Sequence, residues 1–266
     1  FVAPTVARLA QVIEEARGVS SSRAQRKPIA RLHDRGEAPA SFMQERLWFL
    51  SELYPDRPTY NIPSAHRLLG HVDEAAFERA FNEMLRRQPS LRTSFESRDG
   101  AIVQRIHDAA PLSLFPAEDL SALPPPEREG LLPHRIRELT AESFDLTRAP
   151  LFKARMFRLG ETEHVLFFMA HHIVWDGWSF DLVYHEMSSI YGAFAEGRPH
   201  GLPDLPVTYG DYAAWHRDWM TGPEYEGQIS FWRDRLARVQ RIEQLPTDEP
   251  RRPGMSGAGK TEFVRA

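Results

Sequence analysis

The sequence predicts an α+β fold in which helices pack on a mixed sheet. Three observations lead there. Segments with apolar residues at helical spacing intermix with short apolar runs of strand length. Two pairs of those runs are joined by tight turns, at Asp99-Gly100 and near Gly160. No βαβ unit repeats, so a doubly wound parallel sheet is not indicated.

Residues 5–17, "TVARLAQVIEEAR", read as a short helix with Thr5 as N-cap and a stripe of Val6, Leu9, Ala10, Val12 and Ile13, stopped by Gly18. A helix of this length is marginal alone in water, so its partner is expected elsewhere. Residues 18–37, rich in serine and arginine with little to bury, read as a linker. The compact part is expected from Ala38. "SFMQERLWFLSEL" predicts a helix with Phe42, Leu47, Leu50 and Leu53 on one side and Ser41 and Gln44 as a capping box. "AHRLLG" suits a strand. "DEAAFERAFNEMLRRQ" predicts an amphipathic helix capped by Asp73, burying Phe77, Phe81, Met84 and Leu85. A hairpin follows in "LRTSFESRDGAIVQRI". "LSALPPPERE" reads as loop and "LPHRIRELTAESF" as helix. A second hairpin, "LFKARMFRLGETEHVLFFMA", leads to a helix over "SFDLVYHEMSSIYGAFAEG" with Ser179 as its cap.

Composition narrows the function classes. The 266 residues are 42% hydrophobic and 26% charged, enough for one large domain or two small ones. A net charge of −4 gives no reason to expect nucleic acid. "VLFFMA" is far too short to span a bilayer, so no membrane role is expected. The absence of cysteine excludes disulfides and thiolate metal sites and fits a reducing cytoplasm. The opening "FVAPTVARLA" has no Met and no signal-peptide pattern, and reads as a cut inside a longer polypeptide.

The chemistry centres on "MAHHIVWDGWS", residues 169–179. On a strand, His171 and His172 point to opposite faces. They cannot easily grip one ion, and no third ligand stands at standard spacing, so no metal is expected. Two readings stay open at this level. One histidine opens on a cleft as a proton-moving group, with amides near the following helix start available to an oxyanion. Alternatively, both histidines are scaffold and Asp176-Gly177 is an ordinary turn.

The string His171-His172-Ile-Val-Trp-Asp176-Gly177 resembles the HHxxxDG signature of nonribosomal peptide synthetase condensation domains. "SFMQERLWFL" resembles their opening motif, with Met43 for the usual alanine. "RRQPSLRTSF" resembles the second, with Gln88-Pro89 where His-Glu is commoner. "YGDYAAWHRDW" and "FWRDRLA…LPTDEPRRP" resemble later segments in the right order. The resemblance implies a chloramphenicol-acetyltransferase-like lobe, the N-terminal half of a V-shaped two-lobe domain. Residues 38–240 would form that lobe, with 241–266 the crossover into a truncated second lobe. Residues 1–17 would be the last helix of an upstream carrier domain.

What the resemblance implies for the site is specific. His172 would stand at the reaction centre and Gly177 would offer its N–H to the oxyanion. His171 and Asp176 would be structural, Asp176 pairing with Arg87, or alternatively Arg92. Ser179 reads as a cap rather than a nucleophile and, with Trp178 and Trp215, is placed along the substrate channel. The parent domain would join a donor thioester to the amine of an acceptor aminoacyl thioester. The lobe itself would bind no cofactor; phosphopantetheine arrives on partner carriers. Expected partners are upstream donor and downstream acceptor carrier domains, the missing lobe and a downstream adenylation domain. Epimerization and ester-forming relatives share the signature, whereas heterocyclization domains carry aspartates at the histidine positions. In isolation the chain would be inactive or a carrier-binding module.

Overall fold

A computed structural model describes residues 5–19, 28–34, 36–55 and 57–237. They fall into two compact units, one ending at Met220 and one beginning at Thr221. At the N-terminus, α1 (Val6–Val19) runs through Gly18, which the sequence reading made its stop, and Thr5 Oγ1 accepts from the Arg8 N–H at 3.3 Å. Val6, Leu9, Val12 and Ile13 are exposed.

Two sheets organise the first unit. The smaller is antiparallel, with β1 (Glu37–Pro39) beside β4 (Ala101–Ile106), which pairs with β3 (Thr93–Arg98) through the expected Asp99-Gly100 turn. Asp99 and Gly100 both hold positive φ, at 51° and 80°, a turn geometry that glycine tolerates and most residues resist. The larger sheet has the order β2 (Asn61–Leu69), β7 (Glu163–His171), β6 (Phe152–Gly160), β5 (Glu118–Asp119). The β5–β6 pair is parallel and the rest antiparallel, so this sheet is mixed, as predicted.

Strand β7 is interior to the sheet and its alternate side chains serve two cores. Phe168 and Ala170 face a cluster with Phe77, Phe81 and Met84 of α3 (Glu74–Arg87) and Phe180, Val183 and Met187 of α5 (Gly177–Ala195). Phe167 and Met169 face the other way, onto Leu132 and Ile136 of α4 (Pro125–Thr140). Strand period alone produces this division, and it explains why "VLFFMA" is apolar on both sides.

Helix α3 matches the sequence reading, including its Asp73 cap, whose side chain accepts from the Ala76 N–H at 2.9 Å. α2 (Phe42–Leu53) has the expected Ser41–Gln44 capping box, but of its apolar residues only Leu47 and Trp48 pack against a core cluster. Phe42, Met43, Phe49 and Leu53 are exposed, while Gln44 is buried. α4 begins inside the stretch read as loop: Pro125 lies at its first turn, where the missing N–H costs no helical bond. α6 (Tyr209–Trp219) closes the first unit with a Thr208–Asp211 capping box. α7 (Pro223–Leu236) belongs to the second unit, and the expected crossover at 241–266 lies outside the described residues. No helix among the described residues is long and apolar enough to cross a membrane.

Candidate active site

His171 ends β7 and His172 follows it as the first residue of a turn, and the two side chains part company there. The His171 N–H donates to Leu151 O at 2.9 Å and the His172 N–H to Tyr60 O at 2.8 Å, so hydrogen bonding to the neighbouring segments fixes the backbone through both. His171 turns inward and is 6% exposed, between the rings of Tyr60 and Phe144. Its Nδ1 accepts from the Ile173 N–H at 3.2 Å, which places the proton of the neutral ring on Nε2. Burial, with a smaller contribution from His172, pushes the His171 pKa down to about 4. His172 is exposed and lines a cavity of about 570 Å3 together with Gln44, Gln88, Trp175, Glu186 and Tyr209.

Beyond the histidines the chain turns into α5, and Asp176 rather than Ser179 is its N-cap. The Asp176 carboxylate accepts from the Ser179 N–H at 3.0 Å and its hydroxyl at 2.7 Å, while Ser179 Oγ accepts from the Asp176 N–H at 3.2 Å. This reciprocal box satisfies two groups that a helix start leaves unpaired. It also overturns the expected ion pair. Arg87 is buried against Glu186, at 3.2 Å, and donates to Pro203 O at 3.0 Å. Gln88 Nε2 joins them, 3.0 Å from Glu186. Arg92 is no substitute partner for Asp176, because its guanidinium donates to His107 O and Arg86 O. The reason is geometric: Glu186 lies ten residues along α5 from Asp176, about 15 Å at helical rise, where α3 ends against it.

Similarity to known proteins decides the family. The Condensation domain family model matches residues 34–265. The chain belongs to the condensation domain family. Among curated proteins it is 41% identical over 252 residues to a component of the linear gramicidin synthase of Brevibacillus parabrevis, covering 94% of this chain and 5% of that protein. It is 35% identical over 271 residues to a dimodular nonribosomal peptide synthase of Bacillus subtilis (strain 168), covering all of this chain and 11% of that protein. The teicoplanin X-domain structure superposes with TM-score 0.72 at 31% identity, over 85% of this chain and 49% of that one. The starter condensation domain of rhizomide synthetase, at 24% identity and TM-score 0.68 over 77% of this chain and 48% of that one, shares the fold. The chain thus spans a small part of these synthetases and about half of each solved chain.

Within this condensation domain the predicted residues fare differently. His172, Asp176, Trp178 and Ser179 line the cavity. Trp215 does not; it lies on α6 against Tyr212 and His216. Gly177 opens α5 without a positive φ, and a Cβ added there would meet nothing within 4 Å, so neither backbone conformation nor close packing demands glycine there. The sequence reading missed two polar groups. Glu186 forms the buried pair with Arg87, and a carboxylate near the middle of an apolar helix was the available signal. Gln44 donates through Nε2 to Ile173 O at 3.1 Å and to Gln104 at 3.3 Å, holding the turn directly after His172. Its role in the capping box concealed this second one.

The state of His171 sets a pH dependence. Unfolded, it protonates near 6.5; folded, only near 4. Between those values the unfolded chain binds the extra proton. The contribution of the neutral ring is therefore complete above 6.5 and is lost as pH falls towards 4, by up to roughly 3 kcal/mol. Urea midpoints measured from pH 7.5 to 4.5 should fall more steeply for the wild type than for His171→Gln. Parallel curves would show that His171 does not titrate this way.

Proposed function

We propose that His172 stands at the reaction centre of an amide-forming condensation between two carrier-bound thioesters. The acceptor amine attacks the donor thioester carbonyl, the C–N bond forms, the C–S bond breaks, and the phosphopantetheine thiol leaves with a proton. His172 takes the proton from the attacking amine or holds the amine in line. The Gly177 N–H, at the first position of α5, is assigned to the developing oxyanion, where an unpaired helix-start amide suits negative charge. Asp176 holds that start in place through Ser179, and His171 is scaffold.

The observation that carries this reading is the division of the pair. One histidine is buried and held neutral, while the other is exposed in a cavity large enough for a thioester terminus. Residues 1–17 are assigned to an upstream carrier domain and 18–37 to a linker. The reaction is assigned to the whole domain, with donor and acceptor carriers as partners and an adenylation domain downstream, and this chain by itself is expected not to turn over.

The test is intact-mass detection on the acceptor carrier, with the natural domain that contains this chain and with loaded donor and acceptor carriers. An increment equal to the donor acyl group shows transfer, and base then releases the product from the carrier thioester. A released product that keeps the donor acyl group supports the amide, and one that loses it points to the ester-forming relative. Inverted donor stereochemistry without transfer points to epimerization. Carrier binding with no change in either carrier would leave only a binding module.

A further inference from the structure

Residues 200–208, between α5 and α6, have no regular secondary structure, yet Leu205, Val207, Thr208 and Tyr209 form one wall of the His172 cavity. Such a wall needs its backbone groups satisfied from elsewhere. The Arg87 guanidinium holds Pro203 O. Further donors come from residues 28–34, the segment ahead of the first strand. Arg31 spans two successive carbonyls, donating through Nη2 to Leu205 O at 3.2 Å and through Nε to Pro206 O. The next residue completes the attachment: the Leu32 N–H donates to Asp211 Oδ1 at 2.7 Å. Asp211 is 1% exposed, and its other oxygen accepts from the Thr208 N–H at 2.7 Å and from Thr208 Oγ1 at 3.0 Å.

We propose that Arg31 and Leu32 are positioning residues for the His172 cavity: a strap from the N-terminal segment sets the 203–209 wall. One buried carboxylate links the strap to the cap of α6, and one guanidinium fork fixes the carbonyls of two wall residues. A displacement of the N-terminal segment thereby reaches the cavity without any contact between that segment and a substrate. The chemistry argues for arginine in particular, since a planar fork can bridge two carbonyls in fixed geometry and a lysine ammonium on a flexible stem cannot. The consequence for substrate binding rests on the proposed function; the placement of the wall does not.

The experiment therefore needs no turnover. In the full chain, amide exchange at Leu205, Val207 and Thr208 and the rate of His172 modification by diethyl pyrocarbonate are compared among wild type, Arg31→Ala, Arg31→Lys and Leu32→Pro. Exposed His134 serves as the internal reference. In both Arg31 variants we expect about three- to ten-fold faster exchange at the three wall amides, with α3 and α5 unchanged. His172 should react roughly two- to five-fold faster relative to His134 as the wall loosens. Leu32→Pro removes the donor to Asp211 and also restricts the backbone of Arg31, so it should loosen Thr208 together with Leu205 and Val207. Unchanged wall exchange overturns the proposal, as does a loosened wall that leaves His172 reactivity unaltered. Full rescue by Arg31→Lys overturns the fork geometry, and faster exchange throughout α3 and α5 overturns a local role. Failure of the condensation assay would count against the reaction and leave these comparisons standing.

Discussion

Replacing His172 by alanine in the whole condensation domain is expected to lower the single-turnover rate of product formation by about 10²–10⁴-fold, the usual contribution of a proton-transferring side chain. Its position supports an effect on chemistry rather than folding. The ring is exposed, and the backbone bond to Tyr60 O does not depend on the side chain. The urea midpoint should therefore move little. His172→Asn separates two ways of acting. It can still accept a hydrogen bond from the amine but cannot take its proton, so partial recovery would assign positioning and none would assign proton transfer. Undiminished product from His172→Ala would show that alignment by the two carriers supplies the catalysis, because pre-oriented reactants alone can remove much of a barrier.

The second large effect concerns stability. Arg87 and Glu186 side chains are 4% and 9% exposed and lie 3.2 Å apart. Removing one partner strands a charge in a poorly solvated place, and Arg87→Met or Glu186→Leu alone should cost about 3–5 kcal/mol. The double replacement removes both charges and should recover most of that loss. Arg67 and Glu129 are the control: with side chains 43% and 52% exposed, their pair should contribute no more than about 1 kcal/mol. Urea unfolding of the wild type, the two single variants and the double variant, beside the same set at Arg67 and Glu129, measures this directly. If each single variant at the buried site costs as little as the surface pair, the burial of Arg87 and Glu186 is not maintained in solution. Because Arg87 also holds Pro203 O, its loss should loosen the cavity wall as well.

The sequence made the site partly legible, and the omissions have physical causes. The Asp73 and Ser41 caps, the two hairpins and the interior strand were readable because each is a local pattern of spacing or turn chemistry. The separation of His171 from His172 was expected from strand alternation, although the strand ends at His171 and the turn after it carries His172. β1 and β5, at three and two residues, are too short to show a period. Pro124 to Pro126 resembled a loop because prolines both interrupt helices and begin them, and only the chain that follows distinguishes the two. The partner of Arg87 was misassigned because ion pairing across helices depends on where two axes meet. Asp176 was equally eligible by residue type, and although a carboxylate in mid-helix marks Glu186 as unusual, nothing local says that it faces α3. The strap at Arg31 was similarly invisible, since its bonds reach residues more than 170 positions away.

The register of β2 has a consequence for how the domain is made. Asn61 pairs with His171 and Leu69 with Glu163, so each β2 residue waits for a partner roughly a hundred positions later in the chain. β6 and β7, by contrast, are neighbours in sequence and can zip at once through their turn. During synthesis, which proceeds from the N-terminus, β2 leaves the ribosome long before either, with its hydrogen-bonding edges unmatched. The strand that ends in His171 is therefore the last piece its sheet needs. Its arrival pairs one edge of β2, and directly beyond that pairing the His172 N–H reaches Tyr60 O.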